Sequence, residues 1–78
     1  MIYFLSMDKR QCKMGRAGLE WNARRLADKA GLGSATVARF ELGQPVAAET
    51  ITKMQTAMEE AGVQFSRKGA LLVVSVPD

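Results

Sequence analysis

The sequence predicts a mainly α-helical fold in which four short amphipathic helices are followed by a C-terminal β-hairpin. Three observations carry this prediction. Apolar residues recur at the 3.6-residue period of a helix between residues 8 and 61. Glycines interrupt that period where helices are expected to end. Beyond Gly62 the pattern changes to alternation and then to a β-branched run, which is typical of strands.

The first helix is predicted at residues 8–19. Cys12, Arg16 and Leu19 share one of its faces, because they are spaced by about one and two helical turns. An arginine on an otherwise inward face requires an explanation, since a buried charge is unfavourable without a partner.

The second and third helices are predicted at residues 23–30 and 34–42, separated by a three-residue turn. Asn22 is a favourable N-cap for the second helix. Gly31 ends that helix, since glycine adopts a left-handed conformation without a Cβ penalty. Gly43 ends the third helix, and the proline that soon follows prevents its continuation.

The fourth helix is predicted at residues 47–61. Its apolar face consists of Ile51, Met54, Met58 and Ala61. A hairpin is expected over residues 63–76, with its turn at 67–69 and its second strand at 70–76. Residues 1–7 are expected to be an N-terminal extension or to include a short strand at 1–5.

The composition favours one small globular domain that is not an enzyme. The chain has 78 residues, 47% of them hydrophobic and 24% charged. It has no histidine and a single cysteine, Cys12, so an intrachain disulfide and a Cys/His zinc site are excluded. The commonest general acid/base is also missing. We therefore expect no catalytic residues, metal or cofactor, and we expect oligomerisation to support so small a core.

No stretch approaches the ~18 apolar residues that cross a bilayer. Residues 1–5 also lack the basic segment that precedes a secretory signal core. The expected location is therefore the cytoplasm, without membrane attachment.

The net charge of +3 is unevenly distributed. Residues 1–40 contain eight basic and three acidic side chains, whereas residues 41–78 contain three basic and five acidic ones. A basic half is what binding to a phosphate backbone favours, because neutralised phosphates release counterions. A solvated surface with no nucleic-acid partner is the alternative.

The run 26–43 has the spacing of a DNA-binding helix-turn-helix, with two short helices and a turn of about three residues. Ala27 is small where the two helix backbones would cross, and Gly31 permits the turn. The apolar wedge expected to fix the interhelical angle consists of Leu26, Ala30, Leu32, Val37 and Phe40.

Over residues 13–62 the sequence resembles the Cro/cI-type helix-turn-helix regulators, also called the XRE family. The matching residues are Arg16, Trp21, Asn22, Leu26, Ala27, Ala30, Gly31, Leu32, Ala35, Thr36, Val37, Arg39, Phe40, Glu41, Gly43 and Pro45. The resemblance implies a lambda-repressor-like four-helix DNA-binding domain over residues 8–62. It also implies a transcriptional repressor that binds a double-stranded DNA operator as a homodimer.

The same resemblance implies roles for individual residues. A structural ion pair is implied between Arg16 and Glu41. Bases would be read by Ser34, Ala35, Thr36, Ala38 and Arg39. Phosphates would be held by Asn22, Arg24, Arg25 and Gln44. For Arg39, a bidentate contact to guanine is the first interpretation, and a phosphate contact or a solvated side chain is the alternative.

Three positions depart from the family pattern. Ala23 stands where a phosphate-contacting glutamine is usual, and Leu42 replaces a commonly polar or basic residue. Gly33 replaces the Ser/Thr cap of the third helix. Arg24 and Arg25 are the expected replacement anchors. We expect these three changes to affect the affinity for DNA more than the fold.

Two questions stay open at this level. The hairpin at 63–78 either pairs with a second copy as a dimerisation element or packs on its own helices. The protein is either an autonomous repressor, an antitoxin that autoregulates its operon and neutralises a toxin protein, or a protein-interaction module on a helix-turn-helix scaffold.

Overall fold

The computed structural model describes residues 6–78 and confirms four helices followed by a two-stranded antiparallel hairpin. The strand or extension predicted at 1–5 lies outside the described residues. The elements in chain order are α1 (Lys9–Leu19), α2 (Ala23–Ala30), α3 (Ser34–Glu41), α4 (Ala48–Glu60), β1 (Gln64–Lys68) and β2 (Leu71–Ser75).

The ends of α1 and α2 follow local chemistry. Asp8 and Gln11 form a capping box at the start of α1, which satisfies backbone N–H groups that have no partner within the helix. Asn22 caps α2 by accepting from the N–H of Arg25 at 2.8 Å. Gly31 ends α2 in the left-handed region with φ 72°. The predicted bounds of α2 are therefore confirmed.

The other helices are slightly shorter than predicted, since α1 begins at Lys9 with Asp8 as its N-cap. α3 ends at Glu41, with Leu42 as its C-cap, and α4 begins at Ala48 and ends at Glu60. Neither Gly33 nor Ala47 forms a side-chain capping bond at the start of its helix. These one-residue differences lie where helix ends normally fray.

The predicted turn of the hairpin is wrong by two residues. Arg67 and Lys68 belong to β1, and Lys68 pairs with Leu71, so the turn is Gly69 and Ala70. Gly69 has φ 59° at the first turn position. A two-residue turn with a left-handed glycine matches the right-handed twist of the strands better than a three-residue turn.

The core lies between the helices and the inner face of the hairpin. Its buried apolar residues are Met7, Cys12, Leu26, Ala27, Val37, Phe40, Met54, Ala57, Met58 and Val63. Phe65 of β1 and Val74 of β2 pack against this cluster from the hairpin. Unbranched methionines fill the irregular space between helices and hairpin.

The hairpin packs on α1 of its own chain. The carboxamide of Gln11, which is fully buried, donates to the carbonyl oxygens of Ser66 and Val73 at 2.9 and 3.1 Å. One and two turns farther along α1, Gly15 faces the Phe65 ring and Gly18 lies beneath the last residues of the chain. Since these glycines have no side chain, the hairpin approaches the helix backbone closely. Dimerisation through the hairpin stays a prediction.

Among residues 6–78, no helix has the length and apolar character that crossing a membrane requires.

Candidate nucleic-acid interface

The turn between α2 and α3 holds the two helices in a fixed relation. The N–H of Leu32 donates to the backbone carbonyl of Ala27 at 2.8 Å, and the N–H of Gly31 donates to the backbone carbonyl of Asp28 at 3.4 Å. Leu26 and Ala27 of α2 are buried with Val37 of α3. Phe40 is also buried, whereas Ala30 and Leu32 are half-buried at the margin. Of the predicted wedge, Leu26, Val37 and Phe40 are therefore buried, and Ala30 and Leu32 lie at its half-buried margin.

One face of α3 is open to solvent. Ser34, Ala35, Ala38 and Arg39 are exposed, whereas Thr36 is half-buried. The exposed positions follow the helical period opposite Val37 and Phe40, so they form one ridge. Apart from Arg39, its side chains are short. Such a ridge allows an α-helix to approach another surface closely, with one long cationic side chain projecting from it.

The start of α2 carries a second group of the predicted residues. Arg24 and Arg25 are exposed, next to the capping side chain of Asn22. The Arg25 guanidinium lies 5.9 Å from the centroid of the Trp21 ring, a cation–π distance that restricts its position. The oxygen of Asn22 is used by the cap, so its amide N–H groups are what it can offer to an anion.

Arg16 and Glu41 form a bidentate ion pair between α1 and the last residue of α3. Arg16 Nε lies 2.8 Å from Glu41 Oε2, and Arg16 Nη2 lies 2.6 Å from Oε1. Arg16 Nη1 also donates to the carbonyl of Trp21 at 3.0 Å. The side chains are only 18% and 6% exposed. The pair therefore joins α1, the loop before α2 and the end of α3.

Cys12 is a third member of this network that sequence reasoning assigned only to the core. Its thiol donates to Glu41 Oε2 at 3.1 Å. Burial, with help from the neighbouring Glu41, raises the pKa of Cys12 far above its ordinary value, so the thiol stays protonated. Burial alone would raise the pKa of Glu41, but hydrogen bonds from Arg16 and Cys12 outweigh burial and lower it.

Gln44, the remaining predicted phosphate residue, is separate from the group at the start of α2. It lines an open cleft of about 390 Å³ together with Lys9 of α1 and Arg67 of β1. Sequence reasoning missed both of these cations, since it assigned Arg67 to the hairpin turn and counted Lys9 only among the basic residues of the first half. A grouping from three distant segments has no local sequence signal.

Leu42, which departs from the pattern of the family that the sequence resembles, is an exposed apolar residue. It follows α3 directly and its side chain is 72% exposed. A leucine at this position offers no hydrogen bond to a phosphate, so any contact it makes with a partner is apolar.

Comparison of the chain with models of known protein families and with curated proteins finds no match.

Proposed function

We propose that this protein is a sequence-specific, double-stranded DNA-binding transcriptional regulator of the Cro/cI type, acting as a dimeric repressor. The observation that carries the proposal is the exposed ridge of α3, which bears short side chains and one arginine. An α-helix fits the major groove of B-DNA, where each base pair presents a distinct pattern of donors and acceptors. On this proposal the fold is a lambda-repressor-like domain with a hairpin added.

Rigidity of α3 supports the proposal. Base recognition requires a helix whose orientation is set before binding. The wedge with α2 holds one side of α3, and the Arg16–Glu41 pair holds its C-terminal end to α1. In this arrangement Arg39 would reach guanine, and Ser34, Ala35, Thr36 and Ala38 would line the base edges.

Phosphate contacts would come from the exposed cations at the start of α2. Arg24 and Arg25 would flank the groove that α3 enters, with Asn22 beside them. The side chain of Ala23 cannot form a hydrogen bond, so in this proposal Arg24 and Arg25 bind the phosphates. The proposal places the protein in the cytoplasm with its DNA target, where the free thiol of Cys12 also stays reduced.

A two-fold dimer would use the outer edge of β2, which pairs with no other strand within residues 6–78. β1 carries Arg67 and Lys68, and charges on an edge strand discourage pairing. β2 contains no charged residue, and the outward-facing Leu71 is 65% exposed. A sheet continued across two copies would place their α3 helices on successive half-sites, ~34 Å apart. A dimer in wild-type solutions and a monomer after Leu71→Glu, both measured by sedimentation, would support this arrangement.

The second candidate function is an antitoxin that binds its own operator and also neutralises a toxin protein. On this candidate, a bound toxin would cover the exposed apolar side chain of Leu42 or of Leu71. Copurification of the neighbouring gene's product with the tagged full-length chain would support this candidate. If the chain purifies without a partner protein, that result contradicts the antitoxin function and leaves the repressor function.

Selection from a random duplex pool, followed by fluorescence anisotropy, tests DNA binding directly. We expect an enriched sequence whose binding by wild-type protein weakens steeply with salt. Arg39→Ala should reduce discrimination against a single mismatched pair by ~5- to 150-fold. Lys53→Ala is the matched control, since it removes one exposed cation from α4. The absence of any enriched duplex would overturn the proposal and favour a protein-interaction module.

A further inference from the structure

We infer that the cleft between the start of α1, the turn after α3 and β1 binds a backbone phosphate of the DNA, with Lys9 and Arg67 as its cations. This inference rests on the proposed function and extends it. It gives the hairpin a role in DNA binding beyond packing or dimerisation.

The cleft is built from three segments that are distant in the sequence. Lys9 is the first residue of α1, Gln44 follows α3, and Arg67 lies in β1. Gly43, at the cleft wall, has φ 87°, and a Cβ built there would lie 2.8 Å from Lys9 Nζ. The Lys9 ammonium therefore lies against the turn at Gly43.

The charge balance of the cleft favours an anion. Asp8 is the acidic residue among those that line it. Its carboxylate already accepts from the backbone N–H of Arg10 at 2.8 Å and from Arg10 Nε at 3.1 Å. The charge of Arg67 also helps to lower the pKa of Asp8, so Asp8 is attracted to both arginines. With Arg10 balancing the single charge of Asp8, Lys9 and Arg67 leave the cleft with a net positive charge. Gln44 adds an uncharged donor.

The cleft also has the right position for this role. Phe40, in the last turn of α3, lines it, and the N–H of Gln44 donates to the carbonyl of Arg39 at 2.9 Å. The cleft therefore begins at the C-terminal end of α3, the helix proposed to read the DNA bases. A helix in the major groove lies between two phosphate backbones. The arginines of α2 would hold one backbone, and this cleft would hold the other.

The test compares three single substitutions of full-length protein on the selected duplex. Lys9→Gln and Arg67→Gln each remove one cation from the cleft, and Lys53→Gln removes one from α4. All three side chains are exposed, so thermal melts should match the wild type. We expect each cleft variant to reduce the slope of log K against log salt by about 0.9, the value for one phosphate. Lys53→Gln should keep the wild-type slope.

Ethylation interference locates the contact. Wild-type protein should be inhibited by ethylation of a phosphate flanking the half-site, and Arg67→Gln should lose that sensitivity. If both cleft variants keep the wild-type slope and interference pattern while Arg39→Ala loses discrimination, the cleft assignment is overturned and DNA recognition by α3 stands. Equal losses in all three charge variants would also overturn it, as a general charge effect. A wild type that binds no duplex would overturn both proposals.

Discussion

Gly18 of α1 lies directly beneath Val76, so that a methyl group at position 18 would overlap the Val76 side chain. In an exposed helix, alanine is favoured over glycine by ~1 kcal/mol. Here we expect Gly18→Ala to destabilise the protein by about 1–3 kcal/mol, because overpacking displaces the end of the hairpin. Urea denaturation measures the change.

A double-mutant cycle provides the control for that prediction. Val76→Ala removes the branched side chain that meets position 18. The double variant with Gly18→Ala and Val76→Ala should be more stable than the single variant Gly18→Ala. If Gly18→Ala by itself stabilises the protein, the close contact between helix and hairpin is wrong.

Arg16→Ala should destabilise the fold by ~3 kcal/mol or more, because it leaves the Glu41 carboxylate buried without its cation. Arg10→Ala is the matched control, since the Arg10 side chain is 70% exposed in its pair with Asp8. We expect that control to change stability by less than ~1 kcal/mol. Thermal melts of wild type and Arg16→Ala that coincide would contradict a structural role for the pair.

The stability of the wild type should fall with acid partly through Glu41. The pKa of Glu41 is lower in the folded protein than its ordinary value of 4.5, so its contribution is present above pH 4.5 and is lost as pH falls through the folded value. Glu41→Gln should therefore be less stable than wild type at pH 7, with a gap that narrows below pH 4.5. The pKa of Asp8 is also lowered, but Asp8 is present in both proteins. A gap independent of pH would contradict the prediction.

Cys12 should resist thiol reagents in the folded protein. Its side chain is fully buried, and the raised pKa keeps it in the unreactive thiol form. At pH 8 we expect labelling by a chromogenic disulfide to be slow and to become rapid in denaturant. The labelling rate should rise in Arg16→Ala in proportion to the population of unfolded protein. Rapid labelling of folded wild type would show that the Glu41 network is open to solvent.

The position of the hairpin turn could not be predicted from local residue types alone. Residues 67–69 and residues 69–70 both contain Gly69 and both read as a turn. The choice between them depends on strand twist and register, which place Phe65 and Val74 together on the core. Neither strand twist nor register follows from the pattern of residue types.

The sequence by itself determined the four helices, the hairpin and the turn between α2 and α3, because helical period, capping residues and left-handed glycines act over a few residues. Only the tertiary structure decided what their side chains meet. It placed Cys12 beside the Arg16–Glu41 pair and brought Lys9 and Arg67 to one cleft. These groupings join segments tens of residues apart, so packing of the elements creates them and no local pattern specifies them.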